Sequence, residues 1–310
     1  MSVAVARTEL DCFFSPSVYT YFPLPPGLRA VVTIHDTIAE RFPELTVPSR
    51  RARLFWNVKV WLALTQARQI LTVSDYAARD IARIHGIAAA RITVALEAPA
   101  SEYTNDASAH DIGAVARRIG LPQGASWFTY VGGFNPHKNV PLIIRAHAAL
   151  ARELGLKAPH LALVGTLDRD VFHGDQQTIR AAIAEERTES LVHWTGFLSD
   201  EDLAKLHAGA VALLIPSECE GFGLPAVEAA ACGTPAIATT ESPLPELLEG
   251  GGIFVVPGHR AQLLDAMRRL ATDTGLRLEL GAVASKRARS LTWDRGAQAC
   301  LTALRGVIRE

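Results

Sequence analysis

Long apolar runs are missing from this chain: no stretch approaches the roughly 20 consecutive apolar residues that a membrane-spanning helix needs. The N-terminus, Met-Ser-Val-Ala-Val-Ala-Arg-Thr-Glu-Leu-Asp, lacks the basic segment and apolar core of a secretory leader. Charge of one sign is missing too. With 31 Lys and Arg against 32 Asp and Glu, the formal net charge is −1, so the basic face that nucleic-acid binding requires is not offered. Cysteine is scarce and dispersed (Cys12, Cys219, Cys232, Cys300). Without a Cys-x-x-Cys or Cys/His cluster, neither a zinc site nor a disulfide framework is expected. Repeats and low-complexity tracts are also absent. What remains is the expectation of a cytoplasmic globular protein, and 310 residues suffice for two domains.

What is present is alternation. Short apolar runs alternate with longer helical patterns, the signature of βαβ units and parallel sheets. In the first part, strands are expected at 11–14, 30–34, 70–73 and 92–96, and helices at 50–67 and 75–85. A polar stretch, 98–109, reads as an inter-domain linker. After a short helix at 112–119, strands at 127–131, 161–164, 191–194, 210–215, 236–238 and 253–256 alternate with helices at 140–154, 176–186, 200–208, 226–232 and 260–273. That is a complete doubly wound unit. Two more helices, 275–289 and 293–309, close the chain. The expected class is α/β, with domains at 1–109 and 110–290 and a C-terminal helix, 291–310, packing back towards the N-terminal domain.

The most informative stretch is Ser217-Glu-Cys-Glu-Gly-Phe-Gly-Leu-Pro-Ala-Val-Glu228. A buried strand leads into a turn bracketed by Gly221 and Gly223, and a helix follows with Pro225 in its first turn. Glycine lets backbone approach a ligand closely, and first-turn amides favour an anion. Glu220 stands before the turn, and Glu228 about 6 Å into the helix at about 1.5 Å per residue. Two carboxylates around an anion-binding turn suit a ligand with a charged middle and hydroxyl-bearing ends, such as a nucleotide-diphosphate sugar. The bland alternative is a strand–turn–helix with two solvated acids.

A second strand end, Tyr130-Val-Gly-Gly-Phe-Asn-Pro-His-Lys-Asn139, places Lys138 after Gly132 and Gly133 and just before a helix. A cation there opposes the helix dipole, which suggests a pyrophosphate to neutralise rather than an ordinary surface lysine. A third, Thr33-Ile-His-Asp-Thr37, offers His35 as a donor to a sugar hydroxyl or phosphate, against the alternative of a satisfied turn histidine. Asp168-Arg-Asp170 mimics a manganese-binding D-x-D motif but reads as a solvated loop. The helix at 50–67 carries Leu54, Phe55, Val58, Trp61 and Leu62 with Arg50, Arg51, Arg53 and Lys59. Its apolar residues are expected in the core, with membrane contact the alternative.

Together these residues resemble a retaining, nucleotide-sugar-dependent glycosyltransferase of family 4. The matching stretches are TIHDTIAERFPE (33–44), LTVSDYAARDI (71–81), YVGGFNPHKNV (130–140), HWTGFLSDEDLAKLHAGA (193–210), ECEGFGLPAVEAAACGTPAIA (218–238) and SPLPELLEGGGIFVVP (242–257). They cover most of the chain in the family's order. The resemblance implies a GT-B fold, in which two Rossmann-like doubly wound domains face a cleft. Only residues 1–10 precede the first matching strand, so the N-terminal domain is expected to be truncated, with another chain as one source of the missing strands.

The resemblance also assigns roles. Glu228 would bind the ribose, and Glu220 the donor-sugar hydroxyls near the anomeric carbon. Amides of Gly221, Phe222, Gly223 and Leu224 would contact sugar and pyrophosphate. Lys138 would stabilise the departing diphosphate, and His35 would contact the sugar from the other domain. Where the family often has an arginine ahead of the lysine, this chain has Gly133 and His137, so His137 joins Gly132 and Gly133 as a donor-binding candidate. No cofactor or essential metal is implied. The donor would be GDP-mannose or a UDP-hexose, and the acceptor a saccharide or a lipid-linked one, in polysaccharide assembly at or near the inner face of a membrane. The rival readings are a GT-B nucleotide-sugar epimerase and a non-catalytic nucleotide-sugar-binding subunit.

Overall fold

A computed structural model describes residues 1–166 and 174–309; the Asp168–Asp170 motif lies outside them. The chain forms two compact units, Met1–Glu97 with Thr292–Glu310, and Ala98–Leu291. The polar stretch 98–109 therefore belongs to the second unit. Side chains account for this: buried Tyr103 donates its hydroxyl to Asp200 at 2.9 Å, and Arg289 donates to Asn105 at 2.9 Å.

The first unit contains α1 (Ser2–Ala6), β1 (Phe13–Ser15), β2 (Ala30–Thr33), α2 (Ile38–Arg41), α3 (Pro43–Thr46), α4 (Arg50–Gln66), β3 (Ala67–Thr72), α5 (Asp75–His85) and β4 (Ile92–Val94). Its strands form a parallel sheet in the order β1-β2-β3-β4. Alternation along β2 and β3 divides their side chains between two faces. Ala30, Val32 and Ile70 pack with Val60 and Ala63 of α4. Val31 and Leu71 pack with Ala303 and Val307 of the chain's last helix, Trp293–Arg309. That helix approaches so closely that a Cβ at Gly296 would collide with the Leu96 carbonyl.

One expectation is corrected here. Leu54, Phe55, Val58 and Trp61 of α4 are exposed, not in the core. The sheet accepts only the side of α4 that carries Val60 and Ala63, and at 3.6 residues per turn the other four fall largely on the far side.

The second unit contains α6 (Ala109–Arg118), β5 (Trp127–Val131), α7 (Val140–Leu154), β6 (His160–Val164), α8 (Gln176–Glu186), β7 (Val192–Gly196), α9 (Asp200–Ala208), β8 (Ala212–Ile215), α10 (Leu224–Ala231), β9 (Ala236–Thr239), α11 (Leu244–Leu247), β10 (Gly252–Val255), α12 (Arg260–Thr272) and α13 (Thr274–Ala288). Its six described strands are parallel, in the order β10-β9-β8-β5-β6-β7. Fully buried Phe128, Ile143, Ile144, Leu161, Leu163 and Ile179 anchor the core between the sheet and its helices.

This strand order positions the site. From β5 the chain winds outward through β6 and β7, then returns to place β8 on the other side of β5. The loops leaving β5 and β8 therefore start side by side at the carboxyl ends of the strands, where the strand order reverses. Ligands of open α/β sheets bind at such switch points. Among the described strands of the first unit the order runs one way, without such a reversal.

Candidate active site

Both motifs singled out in the sequence leave the sheet at this switch. After β5, Gly132 still donates its amide to the Val164 carbonyl at 3.1 Å and has φ +146°, a conformation that suits glycine. The Tyr130 hydroxyl bonds the Gly133 carbonyl, holding the turn. A short 3-10 turn, Pro136–Lys138, then ends at Asn139, a non-glycine residue in the left-handed region at φ +57°. Asparagine tolerates that region better than most residues. Its side chain donates to the Pro216 carbonyl at 3.1 Å and to Glu218 Oε1 at 2.8 Å. The Glu218 amide returns a bond to the His137 carbonyl at 2.8 Å. The β5 and β8 loops are thus tied together by three hydrogen bonds.

That tie sets Lys138 against Glu220. Lys138 Nζ is 2.8 Å from Glu220 Oε1 and 3.0 Å from Oε2. The Ser217 hydroxyl donates to Glu220 Oε1 at 2.5 Å, and the Glu220 amide donates to the Glu241 carbonyl at 3.0 Å. Glu220 is only 7% exposed, so its position is fixed from several directions. The lysine placed against the helix dipole thus has an internal counter-charge, and sequence reasoning did not pair the two. It also missed Ser217 and Asn139. The signals were a hydroxyl three residues before Glu220 and an αL-tolerant residue straight after Lys138.

Helix α10 starts at Leu224, with Gly223 as its N-cap at φ +83°. Its first amides lack intrahelical acceptors, as in any helix, and Pro225 removes one of them. A Cβ on Gly223 would lie 2.7 Å from Leu244 Cδ1. Glu228 is one turn into α10 and half-buried. Its charge helps burial push the Cys232 thiol up to about 12 and raise the Tyr103 phenol.

His137 is buried beside Lys138, and burial with the neighbouring ammonium pushes its pKa down to about 4, against a smaller opposing effect of Glu220. It is neutral at physiological pH and adds no positive charge for a pyrophosphate. His35 follows β2 in the first unit and is half-buried; burial lowers its pKa, with Asp36 opposing. The structure therefore gathers Lys138, His137, Gly132, Gly133, Glu220, Gly221, Phe222, Gly223, Leu224 and Glu228 on two adjacent strand ends of one unit, with His35 on the other.

Comparison with known proteins bears on the family and the fold. The family model "Glycosyl transferases group 1" matches residues 113–288, and "Glycosyltransferase Family 4" matches residues 10–95. The O-antigen chain mannosyltransferase B of Escherichia coli is 32% identical over 82% of this chain and 67% of its own length. A D-inositol 3-phosphate glycosyltransferase of Actinosynnema mirum is 29% identical over 92% of this chain and 69% of its own length. Among solved structures, sucrose-phosphate synthase of Thermosynechococcus elongatus superposes with a TM-score of 0.79 at 20% identity, over 99% of this chain and 76% of that one. Anabaena HepE, solved with UDP and glucose, gives 0.73 at 22% identity, over 89% and 71%.

The fold is therefore that of a GT-B glycosyltransferase. The chain belongs to the family of glycosyl transferases group 1. It spans about two thirds of the length of its first two curated relatives.

Proposed function

We propose that this chain transfers a hexose, with retention, from a nucleotide-diphosphate sugar to a saccharide or lipid-linked acceptor in polysaccharide assembly. The carrying observation is the Lys138–Glu220 pair at the point where the strand order reverses, beside the first turn of α10. An ammonium group has three N–H donors. Two are directed at Glu220, and the third is available to an oxygen of the leaving diphosphate. As the bond from the anomeric carbon to that oxygen breaks, negative charge grows where Lys138 and the α10 amides stand. Pre-set donors at such a position contribute roughly 100- to 1,000-fold in rate.

Glu220 holds the sugar hydroxyls and Glu228 the ribose. The acceptor oxygen forms the new bond on the face from which the diphosphate leaves, and its proton passes to the departing phosphate oxygen. No metal is required in this scheme. GDP-mannose is the first donor to test, because the E. coli relative is named a mannosyltransferase. UDP-glucose is the second, because HepE was solved with UDP and glucose.

The test is incubation of the full chain with each labelled donor, with and without EDTA, following transfer to saccharide acceptors and slow hydrolysis. Turnover that survives EDTA and falls at least about 100-fold in Lys138→Ala is expected. Donor binding without turnover, unaffected by Glu220→Ala, would overturn the reading in favour of a binding subunit.

A further inference from the structure

An open pocket of about 990 Å³ lies at the amino ends of β2, β3 and β4, with the last helix, Trp293–Arg309, as one wall. His35 follows the carboxyl end of β2, so the pocket stands at the opposite edge of this sheet. Its walls carry Arg68 and Arg91 and no acidic residue.

Arg91 is half-buried and pinned. Its Nη2 donates to the Leu64 and Ala67 carbonyls at 3.0 and 2.6 Å, and Nε reaches the Arg68 carbonyl at 3.5 Å. A cation at the end of α4 suits the negative pole of that helix. This explains where Arg91 sits but not all that it offers. A guanidinium has five N–H donors, and among the described residues the two on Nη1 meet no acceptor. Arg68 is exposed, and its side chain forms no hydrogen bond or salt bridge among the described residues. The ends of α4 and of the last helix carry about half a negative charge each. Two full positive charges outweigh them, so the pocket keeps a positive excess. Gly306 on the helical wall is a second, independent sign. A Cβ there would meet nothing within 4 Å, so packing does not require glycine as it does at Gly296. Glycine weakens a helix, and here it keeps the pocket wide.

We propose that this pocket binds a phosphorylated sugar, with its phosphate on Arg91 Nη1 and Arg68 and its hydroxyls on Gln69 and Thr93. The planar guanidinium matches phosphate oxygens. Gln69 Nε2 donates to Thr93 Oγ1 at 2.9 Å, which leaves the hydroxyl hydrogen of Thr93 for a ligand oxygen. The volume lies at the upper end of small-molecule sites, roughly 300–1,000 Å³, and exceeds what a bare phosphate fills. The inference is independent of the donor chemistry, since every residue it uses lies in the first unit.

The test is isothermal titration calorimetry of the full chain with ribose 5-phosphate, and with inorganic phosphate and ribose as its two halves. The ester is expected to bind about tenfold or more tightly than phosphate, and ribose not measurably. Arg68→Ala should weaken the ester about tenfold or more, the size of a lost charge-assisted hydrogen bond. Gly306→Leu should abolish binding by narrowing the pocket. Circular dichroism and the melting temperature should show an intact fold, because leucine favours helix and its Cβ meets open space. Saturating GDP or UDP should leave the titration unchanged. No binding of the ester, or binding untouched by both variants, would overturn the proposal. So would displacement by GDP or UDP, which would place the ester at the switch between β5 and β8. Phosphate binding as tightly as the ester would also overturn it and leave an adventitious ion only.

Discussion

Lys138 and Glu220 stand 82 residues apart in sequence, yet the lysine ammonium bonds both carboxylate oxygens, at 2.8 and 3.0 Å. Strand order brings them together, since β5 and β8 are neighbours at the point where the sheet reverses its winding. Each holds the charge of the other at a place where either alone would be costly to bury. The pair is thus at once a structural element and the proposed catalytic one, and the two roles separate under mutation.

Removing one partner leaves the other uncompensated. Glu220 is nearly buried, whereas the Lys138 side chain keeps 20% of its surface exposed. Lys138→Ala should therefore cost about 2 kcal/mol, below the 3–5 kcal/mol of a fully buried pair broken on one side. The double variant Lys138→Ala/Glu220→Ala should be more stable than Lys138→Ala alone, because no stranded carboxylate remains. A urea-denaturation double-mutant cycle measures this. Strictly additive losses would show that the pair is not coupled.

Ser217 is fully buried and its hydroxyl donates to Glu220 Oε1. Ser217→Ala should lower kcat about tenfold, the size of a lost hydrogen bond of about 1.4 kcal/mol to a charged group. Thr at the same position should restore most of it. Such rescue distinguishes positioning of Glu220 from simple packing, and equal loss in both variants would argue against it.

Gly223 combines a left-handed φ with a contact that any side chain would crowd. Gly223→Ala should destabilise by about 1–3 kcal/mol and shift the first turn of α10, raising the KM for the sugar donor. Adding Leu244→Ala removes the steric part of that crowding but not the backbone strain. Partial recovery of KM in the double variant is the expected result. Full recovery would mean that the left-handed conformation is not required.

Much of this architecture was legible in the sequence because the apolar periodicity is clean. The helices at 75–85, 140–154, 176–186, 200–208 and 293–309 and the strand at 127–131 coincide with the structure residue for residue. Strand ends elsewhere either coincide or differ by up to three residues, where ladder bonds rather than hydrophobicity set the limit. The strand at β8, for example, begins at Ala212 and not Ala210. Both candidate-site loops were legible through their glycines and charges. The Lys138–Glu220 contact was not, since pairing across 82 residues depends on strand order, which periodicity does not encode. The exposed face of α4 escaped for a related reason. A helix apolar on both sides has no polar face to mark its orientation, and only the fit to β2 and β3 decides which side is buried.

Three buried histidines work against the fold in acid, in the same sense as the partly buried His35, His85, His160 and His193. Burial pushes His137 and His147 down to about 4 and His207 to about 3, from 6.5. His207 bonds Thr129 Oγ1 through Nδ1 while its Nε2 is buried without a partner, so the ring cannot accept a second proton cheaply. With folded pKa values below unfolded ones, the unfolded chain binds more protons between about pH 6.5 and 4. Stability is thus fully present above pH 6.5 and falls as pH drops through that window, by up to about 1.4 kcal/mol per pH unit for each histidine. Glu40 and Glu97, whose carboxyls burial raises, act in the opposite sense and blunt the lower part of the slope. Urea midpoints at pH 7, 6 and 5 should decline steadily, and His207→Gln should reduce the decline by about one proton's worth. A midpoint unchanged from pH 7 to 5 would show that these rings titrate normally in the folded protein.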